Sequence, residues 1–557
     1  MRRSVRSLGL LAALLPVLWT GAPAQAQTTA VKQTAECQGD WLPATPTSAE
    51  IMSGKLSLLG LPAVPVGKDV NWRMDPYRNR SWQMVFHSLR WMARLVADYE
   101  TTGETAYLKR AIEIAKDWVA DNPYGGRNTS KYAWDEHPIA LRAPALVCLS
   151  RHHSASWLTK TLARHAKLLA DPRNYEAGHN PGLDQDIGLL RIGCRYRNTS
   201  WQRLAVRRMV RSMKLDIDSQ GALLEQAPRY GLYVYERLHV AIDAIKDCGI
   251  KPPAELIKRH ERLAEYVSAA TQPNGYLVPI GDGAADVQAP RLPRPASKVQ
   301  VYRAGYVFGR TEWDDRDSAF YSIRFGPGRK FHGHDDHLSV TYYAQGRSIL
   351  TEAGFHSYEN SAYRKWTISP EAHNVPIVVG KRFRPKARTS LVGKSIRADR
   401  QSFTLTDKAY GVRRTRSVLV NHGDDLLAVL DTAGGDLRNL WHFDPGLKVA
   451  SSSGGKVVVT DGDWRATLVQ LAMPSCKPII GQRVVIGQSR PIQGWVSPSY
   501  LKKVPAPVVI SPAARSLLTI LVPGTGDPEV TCAKGKVTVQ TPGGAVTLRV
   551  GSSGTLA

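Results

Sequence analysis

Five ionisable side chains crowd into six positions at His332-Gly333-His334-Asp335-Asp336-His337, just after Arg329 and Lys330. Such a run is costly to bury and hard to explain as packing. It lies between two stretches with strand-like alternation, where side chains two apart share a face, so His332 and His334 can serve one site. An H-x-H pair alone is usually a hydrogen-bonded surface loop; the added carboxylates and the residues downstream argue for a site. Glu352, in Leu350-Thr351-Glu352-Ala353-Gly354, and His373, in Glu371-Ala372-His373-Asn374, join His334 in a mixed imidazole and carboxylate set that suits zinc. Three segments further upstream also carry chemistry. In Gly178-His179-Asn180-Pro181-Gly182-Leu183-Asp184, Pro and Gly are read as a helix break that leaves His179 and Asn180 at a rim. Glu225-Gln226-Ala227-Pro228-Arg229-Tyr230-Gly231, followed by Tyr233 and Tyr235, is read as a second rim loop. Trp134-Asp135-Glu136-His137, with Arg142, mixes aromatic and charged groups.

The elements that must position these groups fall into two halves. From Trp72 to Ala270 apolar residues recur at three and four positions, as in Met84-Val85-Phe86, Leu89, Met92, Leu95-Val96 and Tyr99. Similar segments follow at Tyr107–Ala120, His137–Leu149, Ala155–Leu169, Asp184–Ile192, Trp201–Met213, Arg237–Cys248 and Pro253–Ala270. Successive amphipathic helices without strands between them imply helical hairpins in a bundle, solenoid or toroid. A Pro-rich stretch, Ala289-Pro290-Arg291-Leu292-Pro293-Arg294-Pro295, cannot continue a helix and reads as a linker. Beyond it the pattern alternates with period two at Ala319–Phe325, Leu338–Tyr343, Leu426–Leu430, Lys456–Thr460, Lys536–Gln540 and Ala545–Val550, which implies an antiparallel sandwich. The expected organisation is therefore a signal segment over 1–26, helices over 27–280, a linker over 281–300 and β-sheets over 301–557.

Residues 1–26 carry Arg2, Arg3 and Arg6, an apolar run from Leu8 to Trp19 and a small-x-small Ala24-Gln25-Ala26, the pattern of a secretory signal. A secreted or periplasmic protein is expected. No other stretch is long and apolar enough to read as a membrane span. Export favours disulfides, and the placement of the six cysteines favours Cys476 with Cys532 and Cys194 with Cys248. Lys and Arg total 74 against 48 Asp and Glu, a formal charge of +26 that calls for a polyanionic partner. Export and the lack of a nucleic-acid-binding motif exclude DNA as the expected partner and leave an acidic polysaccharide.

The stretch His332-Gly333-His334, Asp336, Leu338-Ser339, Gly354, Tyr358, Arg364 and Ala372-His373-Asn374 resembles the core motif of the heparinase II/III-like polysaccharide lyases. The resemblance extends to Tyr77–Trp91, Trp134–Arg142, Gly305-Tyr306 and Arg310, covering roughly residues 70–380. It implies an incomplete (α/α) toroid followed by an antiparallel β-sandwich, with the cleft between them. It also implies β-elimination on a uronic-acid polysaccharide: Asn180 neutralises the carboxylate, Tyr230 is general base or acid, and His332 is its partner. For Tyr230 to act as a base, nearby cations such as Arg229, Arg329 and Lys330 are expected to lower its pKa. By the same resemblance, Trp134, His137, Arg142, His179, Arg229, Tyr233, Arg329 and Tyr358 line the substrate site, and His334, Glu352 and His373 hold a structural zinc. The chain departs from the family at Glu352, where Asp is usual, and at Pro181 and Gly231, where His is common; His179 stands beside Asn180 as a substitute donor.

Two other readings use the same residues. A glycoside hydrolase on a helical scaffold would draw its acids from Asp184, Asp186 and Glu225 on the rim loops. A non-catalytic protein would use the basic charge alone to capture a polyanion.

Overall fold

The computed structural model describes Cys37 and residues 42–533, 535–551 and 554–557; the expected signal segment, 1–26, lies outside the described residues. The three-and-four apolar spacing produces helices Arg80–His87, Ala93–Thr102, Thr105–Asp121, Glu136–His152, Ser156–Ala170, Asn180–Arg195, Thr199–Asp216, Pro228–Asp247 and Ala254–Ala269. The first periodic stretch is two helices rather than one, because the chain turns at Leu89, which has a φ of 49°. Glu136–His152 and Asn180–Arg195 are buried almost all round and form the inner layer, while Thr105–Asp121, Ser156–Ala170 and Thr199–Asp216 bury one face and expose the other. Paired inner and outer helices make the incomplete (α/α) toroid.

Two helices begin earlier than the apolar pattern suggests. Pro181 and Pro228 do not break helices; each lies in the first turn of one, where a missing N–H costs nothing and the fixed φ suits the helix. Asn180 and Tyr230 therefore stand on helix N-termini rather than on free loops.

The 281–300 segment is not a free spacer. Val287, Ala289 and Leu292 pack on the helical core, and Arg294 pairs with Asp314. Strands Val299–Tyr302, Tyr306–Arg310, Phe320–Arg324, Val340–Ala344 and Arg347–Leu350 then form a five-stranded antiparallel sheet in chain order. Its three central strands are buried at every residue, because both faces are covered. Alternate side chains divide between two cores: Tyr306, Phe308, Phe320 and Tyr343 face the helices, and Val307, Tyr321, Ile323 and Tyr342 face a second sheet. That second sheet has twelve strands, with Leu426–His442 paired to Arg414–Asn421 on one side and Ala514–Pro523 on the other. A three-stranded sheet, Val530–Ala533, Lys536–Thr541 and Gly544–Arg549, covers its far face through Val537, Val539 and Leu548.

Three disulfides close the framework: Cys194–Cys248 and Cys476–Cys532, as their placement suggested, and Cys37–Cys148, which ties the first described residue to an inner helix. Among the described residues no helix is long and apolar enough to cross a membrane.

Three buried arginines brace the sheets behind the histidine-rich loop. Arg324 pairs with Asp336, Arg414 with Asp407 and Arg416 with Asp431, and each also donates to a backbone carbonyl: Gly305 at 2.7 Å, Pro376 at 2.6 Å and Leu338 at 2.6 Å. Removing one partner of such a pair strands the other charge in a dry interior. Asp431→Ala is expected to cost about 3–5 kcal/mol, measured as a shift in the denaturant unfolding of the purified protein. Asp436→Ala, which breaks the exposed pair with Arg515, is expected to leave the unfolding curve nearly unchanged.

Candidate active site

The histidine-rich loop is seated on the helical layer by backbone contacts that need glycine. His332 N–H donates to Glu225 O at 3.1 Å, and Asp282 N–H donates to His332 O at 2.8 Å. Lys330 N–H reaches Gln226 Oε1 at 2.7 Å, so close that a Cβ on Gly333 would sit 2.2 Å from that same oxygen. A Cβ on Gly281, which has a φ of 61°, would lie 2.5 Å from His332 O. Both glycines therefore permit the approach of the two halves of the molecule.

This docking lays the His332 imidazole flat on the Tyr230 ring, with centroids 3.4 Å apart and planes 8° from parallel. The Tyr358 hydroxyl bridges the pair: it hydrogen-bonds the Tyr230 hydroxyl and lies 3.0 Å from His332 Nδ1. Asn180 completes the group, its side-chain amide nitrogen 3.4 Å from His332 Nε2 and donating to Glu225 Oε2 at 2.8 Å. Asn180, Tyr230, His332 and Tyr358, drawn from both halves of the sequence, thus form one cluster. His179 joins it, stacked between Phe331 and His332 with its Nε2 3.8 Å from Glu225 Oε2.

Two carboxylates organise the cluster. Asp282 is 2 % exposed and binds His332 Nδ1 through Oδ2 at 3.1 Å, while Oδ1 takes His334 Nε2 at 3.0 Å and the Arg364 guanidinium. Although burial opposes its charge, His332, His334 and Arg364 hold the Asp282 carboxyl well below the usual range. Glu225 is fully buried, accepts both the backbone N–H and the amide of Asn180, and faces His332 Nε2 at 3.3 Å. Burial also opposes its charge, and His332, His179 and Asn180 again bring its carboxyl below the ordinary value. Neither group was assigned to the lyase site from sequence. Asp282 lies in the segment read as a linker, and its one local signal is a lone acid between Gly281 and Gly283.

The expectation that cations lower the Tyr230 pKa is reversed. Burial pushes it above the ordinary phenol value; the Tyr358 hydrogen bond and Arg229 pull it down, but Asp282 and Glu225 add to the rise. Tyr230 therefore holds its proton in the free site. Arg329 instead pairs with Asp335 at 3.1 Å and faces a different groove.

The remaining expected residues divide. His137 and Tyr233 both hydrogen-bond Asp184 Oδ2, at 2.9 and 2.8 Å, and Arg237 binds its other oxygen. They form a closed network beside the cluster. Arg142 is not a substrate residue: it is fully buried and donates to His165, His87 O and Ala133 O while lying over Trp118. Trp134 is half-buried, donates to Asn122 O at 2.9 Å and lines a groove with Tyr124, Trp157 and Arg164 rather than touching Tyr230.

Of the donor set expected to hold zinc, the two imidazoles come together behind His332. His334 and His373 are buried with ring centroids 5.3 Å apart, and His334 Nδ1 and His373 Nε2 have no hydrogen-bond partner. Two orphaned imidazole nitrogens fit a metal. Glu352 is placed differently: it contacts His373 Nδ1 and takes the Ser339 hydroxyl, the position of a carboxylate that orients a ligating imidazole from behind. His334, Glu352 and His373 are also absent from the sets whose donor atoms all lie within 4.8 Å of one another among the described residues. One such set does fall inside the cluster, formed by His179, Glu225 and His332.

Comparison with known proteins bears on the family and the fold. The family model described as Heparinase II/III N-terminus matches residues 56–302, and the one described as Heparinase II/III-like, C-terminal matches 298–524. A heparin-sulfate lyase of Pedobacter heparinus is 19% identical over 364 residues, covering 55% of this chain and 53% of the relative. A heparin-sulfate lyase of Bacteroides thetaiotaomicron is 23% identical over 226 residues, covering 37% of this chain and 32% of the relative. The matched stretch thus spans about half the length of the first relative and less of the second. Among solved structures, a heparan sulfate lyase HepC mutant from Pedobacter heparinus superposes with a TM-score of 0.69 at 16% identity, covering 93% of this chain and 91% of that one. At that identity the likeness establishes the fold.

Because Asp282 is the shared counter-charge of two imidazoles and a guanidinium, Asp282→Asn is expected to destabilise the protein by about 3–5 kcal/mol in chemical unfolding. Asp286→Asn, at an exposed position of the same segment, is expected to have little effect.

Proposed function

Since the chain belongs to the heparinase II/III family, we propose that it is an exported polysaccharide lyase that cleaves a uronic-acid-containing polymer by β-elimination. The observation that carries the reading is the Tyr230–Tyr358–His332 chain across the seam of the two halves, with Asn180 beside it. Elimination removes the proton on C5, breaks the C4–O4 bond, forms the C4–C5 double bond and returns a proton to O4. The C5 proton becomes acidic when the adjacent carboxylate is neutralised, and the Asn180 amide supplies donors where that negative charge develops. Tyr230 holds the proton that O4 requires. The His332 imidazole stacked on Tyr230, in its neutral form, takes the C5 proton, and the hydrogen bonds from His332 through Tyr358 offer the route by which that proton returns to Tyr230.

Zinc, if bound, supplies structural order: His334 and His373 would hold it, with Glu352 fixing the His373 ring, and the reaction proceeds on the residues named above. Metal analysis of the purified protein is expected to find zinc, lost in His373→Ala together with thermal stability.

The hydrolase reading loses its acids. Asp184 is closed off by Arg237, His137 and Tyr233, Asp186 is buried under the Tyr175 hydroxyl with its carboxyl pushed well above the ordinary range, and Glu225 is fully buried with both oxygens held by Asn180 and His332. Three disulfides support an exported protein, and the basic charge supports an anionic polymer as the partner.

A panel of heparan sulfate, chondroitin, hyaluronan, alginate and glucuronan is expected to include a substrate whose cleavage raises ultraviolet absorbance as unsaturated uronate forms. Tyr230→Phe and Asn180→Ala should each lower kcat by about 100-fold or more with the fold intact. Reducing ends without absorbance would indicate hydrolysis, and no reaction across the panel would sink the lyase reading.

A further inference from the structure

A basic surface adjoins the loop that carries His332. The segment Lys381-Arg382-Phe383-Arg384-Pro385-Lys386 curls over Tyr410, Gly411 and Val412 to make an open groove of about 900 Å³, with Arg329 on its other wall. Lys381, Arg382, Arg384 and Lys386 are exposed, and none of them forms an ion pair among the described residues. The carboxylates nearby are largely committed: Asp335 pairs with Arg329, and Asp407 with Arg414, leaving Glu371. Like charges gathered this closely repel one another, so the arrangement favours a bound polyanion. The floor is aromatic, with Phe383 and Tyr410 rings 5.4 Å apart and edge-on. Tyr410 is 4 % exposed, yet its hydroxyl has no hydrogen-bond partner.

The groove is fixed relative to the catalytic cluster. Gly326 and Thr389 exchange backbone hydrogen bonds, both 2.9 Å, and Gly328 lies so close to Lys386 that a Cβ there would sit 2.7 Å from its backbone. The segment therefore rests on 326–329, and Arg329 is three residues from His332, at most about 11 Å along the chain. We propose that this groove is an anion subsite that grips the same acidic polysaccharide away from the point of cleavage, its cations on carboxylate or sulfate groups and the half-buried Phe383 ring against a sugar face. The placement rests on the lyase reading above; binding by the groove does not.

The test uses a Lys381→Gln, Arg384→Gln, Lys386→Gln variant and a control in which the same three positions exchange Lys and Arg. The probe is fluorescent heparan sulfate, as long chains and as a tetrasaccharide, titrated over a range of salt. The neutralised variant is expected to bind long chains at least tenfold more weakly, to show a shallower salt dependence and to raise the ratio of long-chain to tetrasaccharide Kd, while the exchange variant stays near the unmodified protein. Long-chain binding within twofold of the unmodified protein overturns the proposal. So does duplex DNA that competes equally well at matched charge, since the groove is then a general polyanion surface. If no polysaccharide is cleaved but the neutralised variant still loses long-chain affinity, the subsite stands and the lyase reading falls. If cleavage persists and long-chain affinity is unchanged, the reverse holds.

Discussion

The architecture of the site depends on one buried carboxylate. Asp282 takes His332, His334 and Arg364 at once, so a single charge sets the orientation of the His332 imidazole stacked on Tyr230, of a second imidazole behind it and of the guanidinium beside them. A carboxylate in a dry interior is tolerated only when its partners are close and well directed. The same demand keeps those partners in register with one another, because none can move without leaving the charge exposed to an apolar surround.

Everything around Asp282 serves to bring its partners within reach. The helical layer contributes Asn180, Glu225 and Tyr230 from the first turns of two helices and the loop before the second. The five-stranded sheet is buried on both faces, so the loop leaving Phe320–Arg324 emerges from a rigid wall. Behind that loop, Arg324, Arg414 and Arg416 neutralise three buried aspartates and hold backbone carbonyls of the sheet and the loop. Paired buried charges add little net stability, but their geometry is exacting, and here that geometry fixes the histidine-rich loop against the sheets behind it.

The large positive charge is distributed by role. Arg142, Arg324, Arg414 and Arg416 are internal and meet carboxylates or carbonyl oxygens. Arg229 lies beside Tyr230, where it tempers without reversing the upward shift of the phenol. The exposed run from Lys381 to Lys386 faces solvent in a groove. Net charge at the level of composition calls for an anionic partner, but only part of that charge is exposed to meet one.

From sequence alone, period determined the layers: three-and-four spacing produced the helices, and alternation produced the strands, because burial of a face needs little more than the right residues at the right interval. The resemblance to the lyase family also pointed to Asn180, Tyr230, His332 and Tyr358, which the structure brings together. What tertiary structure decided was the environment of each charge. Arg142 in a motif reads like a ligand, yet it is enclosed by His165, His87 and Ala133. Pro181 reads as a helix break and Pro228 as part of a rim loop, yet each opens a helix, since the rule for proline depends on where the helix starts. Asp282 sits 50 residues before His332, and Glu225 lies 45 residues from Asn180. Those pairings arise when two layers dock, and an electrostatic environment made by docking has no local period to read. The proton on Tyr230 follows the same logic: composition promised cations, but distance and burial gave the larger influence to the surrounding apolar walls and carboxylates.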